Sequence, residues 1–442
     1  MTIPTAPGAL PVLGHIPQLL RRPLGFLTTL PEYGDLVRVW LGRVPAVVVC
    51  DADLTHRVLR DDRTFDKGGP LFDRAREVSA NGIVTCPHDQ HRRQRRLCQP
   101  SFHTARLENY ASVMTTRIAE VTGSWQDGEI LDVPDQMRTL TNRIAVETLF
   151  SDELSPRTRE QALDDLSVIA TGTYPRMLTP RSLDWLPTPA NRRYRKARIR
   201  LRRTLDGIIA DRRAHDDLDY GDLLSTLLSA RDARDDDRGL IDAEIYDQVL
   251  SFFGAGSETT AANLTMALHL LAGHPGIEQR LRSEVDATLT GKTATYADLP
   301  GLTLTSRVIN ETMRLWPAGW ILTRTTTIDT ELGAHHITAG TNIIYSPYLI
   351  HRLPDLYPAP HTFDPDRWDP ERPQPPRSAF IPFGGGARKC IGDQFGLIEN
   401  TLALATIVAR WQLRSLPGQS THLVRGATLS VRPLRMQATA RP

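Results

Sequence analysis

At 442 residues and 40% hydrophobic side chains the chain can bury a large core, and no linker divides it. A formal charge of +2 leaves no global field that would recommend nucleic acid as a partner, and four scattered cysteines do not suggest a disulfide framework. Residues 1–20 are broken by prolines and lack a basic start, and no apolar run approaches the ~18 residues a membrane span requires, so neither a signal peptide nor a span is expected and the expected compartment is the cytoplasm.

Along the chain, Val37–Trp40 and Val44–Val49 are predicted as paired strands. His91 and Arg95 lie four apart and share a helix face, while Arg92, Arg93 and Arg96 lie off it, as solvated charge or as a basic patch for an acidic partner. Eight of the twelve residues from Arg192 to Arg203 are basic; the interleaved Ile199 and Leu201 and the acidic run Asp216–Asp222 predict a solvated helix face compensated nearby.

Asp242–Ala272 is the best helix candidate, capped by Asp242 and closed by Gly273 and Pro275. Val249, Leu250, Phe252, Phe253, Leu264, Leu268 and Leu271 make it apolar enough to run through a core. Yet its middle reads Gly254-Ala255-Gly256-Ser257-Glu258-Thr259-Thr260, and glycine inside a helix costs about 1 kcal/mol relative to alanine. Small residues give room for a ligand pressed against the backbone, and a Thr hydroxyl can bond a local carbonyl. An ordinary helix bulge with a surface Glu stays open as the alternative. Glu311 and Arg314, three apart in a helical run Ser306–Leu315 that Pro317 ends, are placed to pair. Nine prolines in residues 351–382 rule out a long helix there.

Phe383-Gly384-Gly385-Gly386-Ala387-Arg388-Lys389-Cys390-Ile391-Gly392 is the most informative stretch. It sets one cysteine at the end of a glycine-rich loop, just before a helix predicted over Ile391–Ala409. Unpaired N–H groups at a helix start favour a thiolate, and glycines let backbone approach a flat partner closely. A lone thiolate so held is the expected ligand of a haem iron that must cleave an O–O bond. A phosphate-binding loop would need Lys followed by Ser or Thr, but Lys389 precedes Cys390. A zinc site would need several Cys or His at short spacing, and Cys50, Cys86 and Cys98 are scattered. A cysteine hydrolase would need a His in reach, which the sequence neither supports nor excludes.

Phe383, Gly386, Arg388, Cys390 and Gly392 fit F-x-x-G-x-R-x-C-x-G, and the chain thereby resembles the cytochrome P-450 superfamily. Ala255, Gly256, Glu258 and Thr259 resemble its distal-helix motif A-G-x-[DE]-T. Glu311 and Arg314, with Arg367 of Phe363-Asp364-Pro365-Asp366-Arg367-Trp368, resemble its E-x-x-R pair locked to a P-E-R-F-like segment, Asp366 standing for Glu and Trp368 for Phe. The resemblance runs from Pro4 to the strands after Val424, with motifs in superfamily order.

It implies a single domain over residues 1–442, mainly α with a small β-rich lobe, holding haem b between a long distal helix and the cysteine loop. Cys390 would ligate the iron. Thr259 and Glu258 would be the acid–alcohol pair that binds dioxygen and relays protons, and Glu311, Arg314 and Arg367 a buried structural triad. His91, Arg95, Arg324 and Arg388 would face the haem propionates, with Phe383, Gly384, Gly392 and Ala255 also lining the group. The implied activity is monooxygenation with O2. With no flavin or nicotinamide domain expected, electrons would come from NAD(P)H through a ferredoxin and its reductase. A soluble bacterial type, expected to be a monomer, is implied.

Segments that line the superfamily's pocket map onto Leu71, Phe72, Ile83, Val84, Phe252, Phe253, Ala255, Trp320, Ile321, Leu322 and Thr428, an apolar set that favours a bulky, uncharged substrate. Trp320-Ile321-Leu322-Thr323-Arg324, Ile343–Tyr348 and Ala190–Arg193 are similar to bacterial sesquiterpene oxidases of the pentalenene and albaflavenone pathways. Hydroxylation or multistep oxidation of a cyclic terpene in secondary metabolism is therefore expected; fatty-acid and polyketide or macrolide hydroxylation, and a peroxide-driven peroxygenase, are the alternatives.

Overall fold

The computed structural model describes residues 2–441 apart from 152–153, 179–180, 215–219, 233–237, 292 and 426–427. It is mainly helical with small sheets and divides into two compact units: residues up to Phe72 with Asn310–Cys390, and Asp73–Ile309 with the chain from Ile391 onward.

The first unit carries the largest sheet. Leu36–Leu41 pairs antiparallel with Val44–Val49, in the register Leu36 opposite Val49, so both expected strands are present. Val44–Val49 then pairs parallel with Asn342–Tyr345, which pairs antiparallel with Leu322–Thr326, and Phe65–Asp66 closes the far edge. Alternation along these strands sends Leu36, Val47, Val49, Phe65 and Ile343 into one apolar cluster with Val58. Val58 belongs to the helix Ala52–Arg60, whose start is fixed where Asp51 Oδ1 accepts from the Leu54 amide at 2.8 Å. Residues 351–382 form turns and one short 3-10 element, Pro365–Trp368, as their prolines require.

In the second unit the helix Asp242–Ala272 has the predicted bounds but not the predicted cap. Ile241 is the N-cap position; the Glu244 carboxylate reaches back to its amide at 3.0 Å, while Asp242 pairs with Arg213. Val133–Phe150 and Asp393–Arg410 pack against this helix. Polar pins set the packing: Thr141 Oγ1 donates to the Ser257 carbonyl at 3.0 Å, and Asn263 Nδ2 donates to Asn400 Oδ1 at 3.0 Å. The predicted helix Ser306–Leu315 starts earlier, at Thr303, because the Glu284 carboxylate accepts from the Leu304 and Thr305 amides. A cap lent by a residue twenty positions away leaves no local signal.

The expected basic side chains find carboxylate partners. Arg93 donates to Glu244 at 2.7 Å and Arg96, itself exposed, pairs with buried Asp232 at 2.6 Å, so these two brace the fold. On the helix Pro189–Ala214, compensation comes from Asp164 to Arg193, Asp165 to Arg200 and Asp206 to Arg202. Asp222 is taken by Arg212 at 2.6 Å, and residues 215–219 of the acidic run lie outside the described residues.

Candidate active site

Cys390 is the one exposed thiol of the four; Cys50, Cys86 and Cys98 are buried. Burial pushes the Cys50 thiol up to about 12, helped by Asp35 and Asp51, and pushes Cys98 up as well, so neither is a candidate thiolate. The loop before Cys390 closes where its amide donates to the Phe383 carbonyl at 2.9 Å. Gly384 and Gly386 take φ of +67° and +64°. A Cβ at Gly386 would stand 2.1 Å from the Leu59 carbonyl oxygen, so glycine is required for the loop to lie on the helix Ala52–Arg60. A Cβ at Gly384 would meet nothing within 4 Å. The helix expected from Ile391 begins at Asp393 with Gly392 as N-cap, so Cys390 stands two residues before the cap, in the turn leading to it.

Midway along Asp242–Ala272, Thr259 Oγ1 donates to the Ala255 carbonyl at 2.7 Å, and Ser257 Oγ to the Phe253 carbonyl at 2.8 Å. Added Cβ atoms at Gly254 and Gly256 would meet no neighbour within 4 Å, and Ala255 is exposed in a helix whose flanking turns are buried. Glu258 is half-buried. One group here was missed by the sequence reading. Glu399, on Asp393–Arg410, is buried and hydrogen-bonded to Thr260, and burial pushes its carboxyl up to about 8, so it holds its proton at neutral pH. A lone Glu in an otherwise apolar helix is the signal that could have found it.

Glu311, Arg314 and Arg367 are brought together. Arg314 donates to Glu311 through Nε at 2.9 Å and Nη2 at 2.8 Å, with both side chains fully buried, and Arg367 Nε lies 3.5 Å from Glu311 Oε1. Trp368, expected as a mild departure, contributes a bond of its own: its Nε1–H donates to Glu311 Oε2 at 2.9 Å. Arg314 also donates to the carbonyls of His351, Pro360 and Thr362, so the network fixes the meander as well as the helix.

Among the cations expected near propionates, Arg324 is 3% exposed, donates to the Thr323 carbonyl and has no carboxylate partner among the described residues. A buried guanidinium without a counter-charge is costly, which suits an anionic ligand group beside it. Arg388 differs from expectation: it donates to Asp66 at 2.7 Å and lies 3.6 Å from Asp62, so two protein carboxylates already offset its charge. His91 is buried and Arg95 half-buried on the helix His88–Cys98. Within the first unit, an exposed thiol on a glycine loop and a buried Arg324 without a carboxylate partner among the described residues fit a prosthetic group with acidic substituents; within the second, the helix Asp242–Ala272 leaves open space beside Gly254 and Gly256.

Of the residues expected to meet substrate, Phe252, Phe72, Ile321, Leu322 and Thr428 are half-buried and Val84 is exposed. Ile83 and Trp320 are buried, at 5% and 7% exposure. Phe253, at 1%, is packed as core and offers no surface, a correction that follows from its side of the helix. The Leu71 side chain lies outside the described residues.

This fold and this donor set define a haem-thiolate enzyme. The chain belongs to the cytochrome P-450 family, whose profile matches residues 4–439, and it is a cytochrome P-450 monooxygenase. The family's prosthetic group is haem with a cysteine-thiolate iron ligand, and its co-substrate is O2. The chain is 44% identical over 435 residues to cyclooctatin synthase of Streptomyces melanosporofaciens, covering 98% of this chain and 94% of that one. It is 44% identical over 419 residues to cyclooctat-9-en-7-ol 5-monooxygenase of the same organism, covering 94% and 91%. Pentalenene oxygenase of Streptomyces avermitilis is also 44% identical, over 443 residues and 99% and 97% of the two chains. Among the described residues no helix is long and apolar enough to cross a membrane.

Proposed function

We propose that this enzyme acts on a cyclic, sesquiterpene-like terpene, by hydroxylation or multistep oxidation, in bacterial secondary metabolism. The observation that carries the reading is near-full-length identity of 44% to enzymes named for pentalenene and for cyclooctat-9-en-7-ol. The half-buried apolar side chains Phe252, Ile321 and Leu322 suit such a substrate. The whole chain serves as one catalytic domain, a cytoplasmic monomer, with electrons drawn from NAD(P)H through a ferredoxin and its reductase.

When bound, haem supplies the redox chemistry that splits O2 and places one oxygen atom on the substrate. Cys390 gives the thiolate. Arg324, His91 and Arg95 would offset propionate charge, whereas the charge of Arg388 is already met by Asp62 and Asp66. Donation to Ala255 sets the Thr259 hydroxyl in one orientation beside the open stretch of helix, with its lone pairs free to accept a hydrogen bond there. Half-buried Glu258, next in sequence, would pass a proton taken from water toward that stretch and be reprotonated by water in turn.

The test is a binding screen on the holoprotein. Cyclic terpenes, fatty acids and macrolactones are added and the low- to high-spin shift of the haem absorption is followed. Terpenes alone should shift it, and product should form with reductant and redox partner but not with peroxide alone. A shift confined to long-chain acids or macrolactones overturns the substrate assignment, and peroxide-only turnover overturns the electron route.

A further inference from the structure

His351 is fully buried, in the turn after the short helix Pro347–Ile350, and belongs to none of the motifs above. Both ring nitrogens are engaged: Nδ1 lies 3.1 Å from the Arg314 carbonyl oxygen, and Nε2 lies 2.9 Å from the Ile381 amide nitrogen. The partners dictate the tautomer. A carbonyl can only accept, so Nδ1 carries the hydrogen; the Ile381 N–H can only donate, so Nε2 is bare. Burial and the neighbouring Arg314 and Arg352 charges push the imidazole down to about 3, so this neutral form holds across the working pH range.

What lies beyond Ile381 gives the contact its interest. The Ile381 carbonyl accepts from the Gly384 amide at 3.0 Å, and the Phe383 carbonyl accepts from the Cys390 amide at 2.9 Å. Just before it, Tyr357 Oη donates to the Ala379 carbonyl at 3.0 Å. The imidazole is wedged between the rings of Phe380, 5.4 Å away, and Tyr357, 6.4 Å away. Arg314 Nη1 donates to the His351 carbonyl at 2.9 Å, so the Arg314 residue grips His351 through both backbone and side chain. A continuous chain of hydrogen bonds thus runs from the Glu311–Arg314 pair through one rigid ring into the turn that ends at Cys390.

We propose that His351 is a positioning residue: a neutral two-ended strut that ties the Arg314 carbonyl to the Ile381 amide and so sets the backbone presenting the Cys390 sulfur. The ring is suited to this because it places a donor and an acceptor on opposite edges of a rigid plane, whereas Asn or Gln reaches one partner and leaves the other. A buried amide or carbonyl left unpaired is costly, so loss of the strut loosens the turn locally. The inference rests on Cys390 being the thiolate ligand proposed above.

The test compares H351N, which keeps a donor toward Arg314, H351Q, which keeps an acceptor toward Ile381, and H351F, which keeps only ring volume. Hydrogen exchange at the Ile381, Gly384 and Cys390 amides is measured on the holoproteins, with amides of Thr104–Gly123 as reference. H351F should speed exchange at these three amides by about tenfold, the effect of losing one buried hydrogen bond, with the reference unchanged. H351Q should recover most of the protection at Ile381 and H351N should not. The carbon monoxide complexes of H351F and H351N should also drift from the thiolate-type to the thiol-type absorption faster than wild type.

If H351F does not fold, the contrast between H351Q and H351N decides. Equal protection in those two, or loop amides that speed up only in step with the reference, overturns the strut. Cys390→Ser separates this from the parent reading: if it leaves the thiolate-type absorption intact, the ligand assignment fails. If it abolishes that absorption while the His351 variants leave loop exchange unchanged, only the strut fails.

Discussion

Replacing Glu311 by glutamine changes one oxygen to an NH2 group at the centre of the buried network. The carboxylate accepts from Arg314 Nε at 2.9 Å, Arg314 Nη2 at 2.8 Å, Trp368 Nε1 at 2.9 Å and the Asp364 amide at 3.1 Å. In one amide orientation the NH2 faces Arg314 Nε–H and Trp368 Nε1–H; in the other it faces Arg314 Nη2–H and the Asp364 amide. Either way two donors point at a donor, and the Arg314 guanidinium, fully buried, loses its counter-charge. Removing one partner of a buried ion pair costs about 3–5 kcal/mol, a large part of the ~5–15 kcal/mol that holds a typical domain folded. Trp368→Phe removes one hydrogen bond to a charged group and leaves the ion pair, so it should cost about 1.5–3 kcal/mol. Urea unfolding of the two variants, followed by far-ultraviolet circular dichroism, gives both values. If Glu311→Gln falls within about 1 kcal/mol of wild type, or costs less than Trp368→Phe, the buried carboxylate is not the keystone described here.

Gly386→Ala must both hold a left-handed φ and push its Cβ against the Leu59 carbonyl, whereas Gly384→Ala meets no atom; the first should cost at least ~2 kcal/mol and lower haem incorporation, the second only ~1–2 kcal/mol, and equal retention of haem would refute the contact. Glu399 holds its proton up to about pH 8 when folded, against an ordinary 4.5. The folded state therefore binds the extra proton between those values, and wild-type stability falls relative to Glu399→Gln as pH rises from about 4.5 to 8. Unfolding midpoints of the two proteins that stay parallel from pH 5.5 to 8.5, an interval of about that width, would count against the buried acid. Thr259→Ala removes the hydroxyl placed at the open stretch of helix, and should raise the peroxide released per electron consumed; unchanged coupling refutes its role in proton supply.

The sequence alone determined the class of enzyme, because its chemistry is concentrated in short, locally read spacings. A glycine loop ending in Cys390, a helix carrying Gly254 and Gly256 at its middle and a Glu311–Arg314 pair are each legible within ten residues, since backbone sterics and side-chain reach act over that range. The bounds of Asp242–Ala272 were legible for the same reason. What only tertiary structure decided is who partners whom across long separations. Asp66 takes up Arg388 from 322 residues away, Glu284 caps a helix twenty residues on, and Trp368 turns out to donate to Glu311. Glu399 and His351 carried no motif; their protonation states follow from burial, and burial is a property of the packed chain.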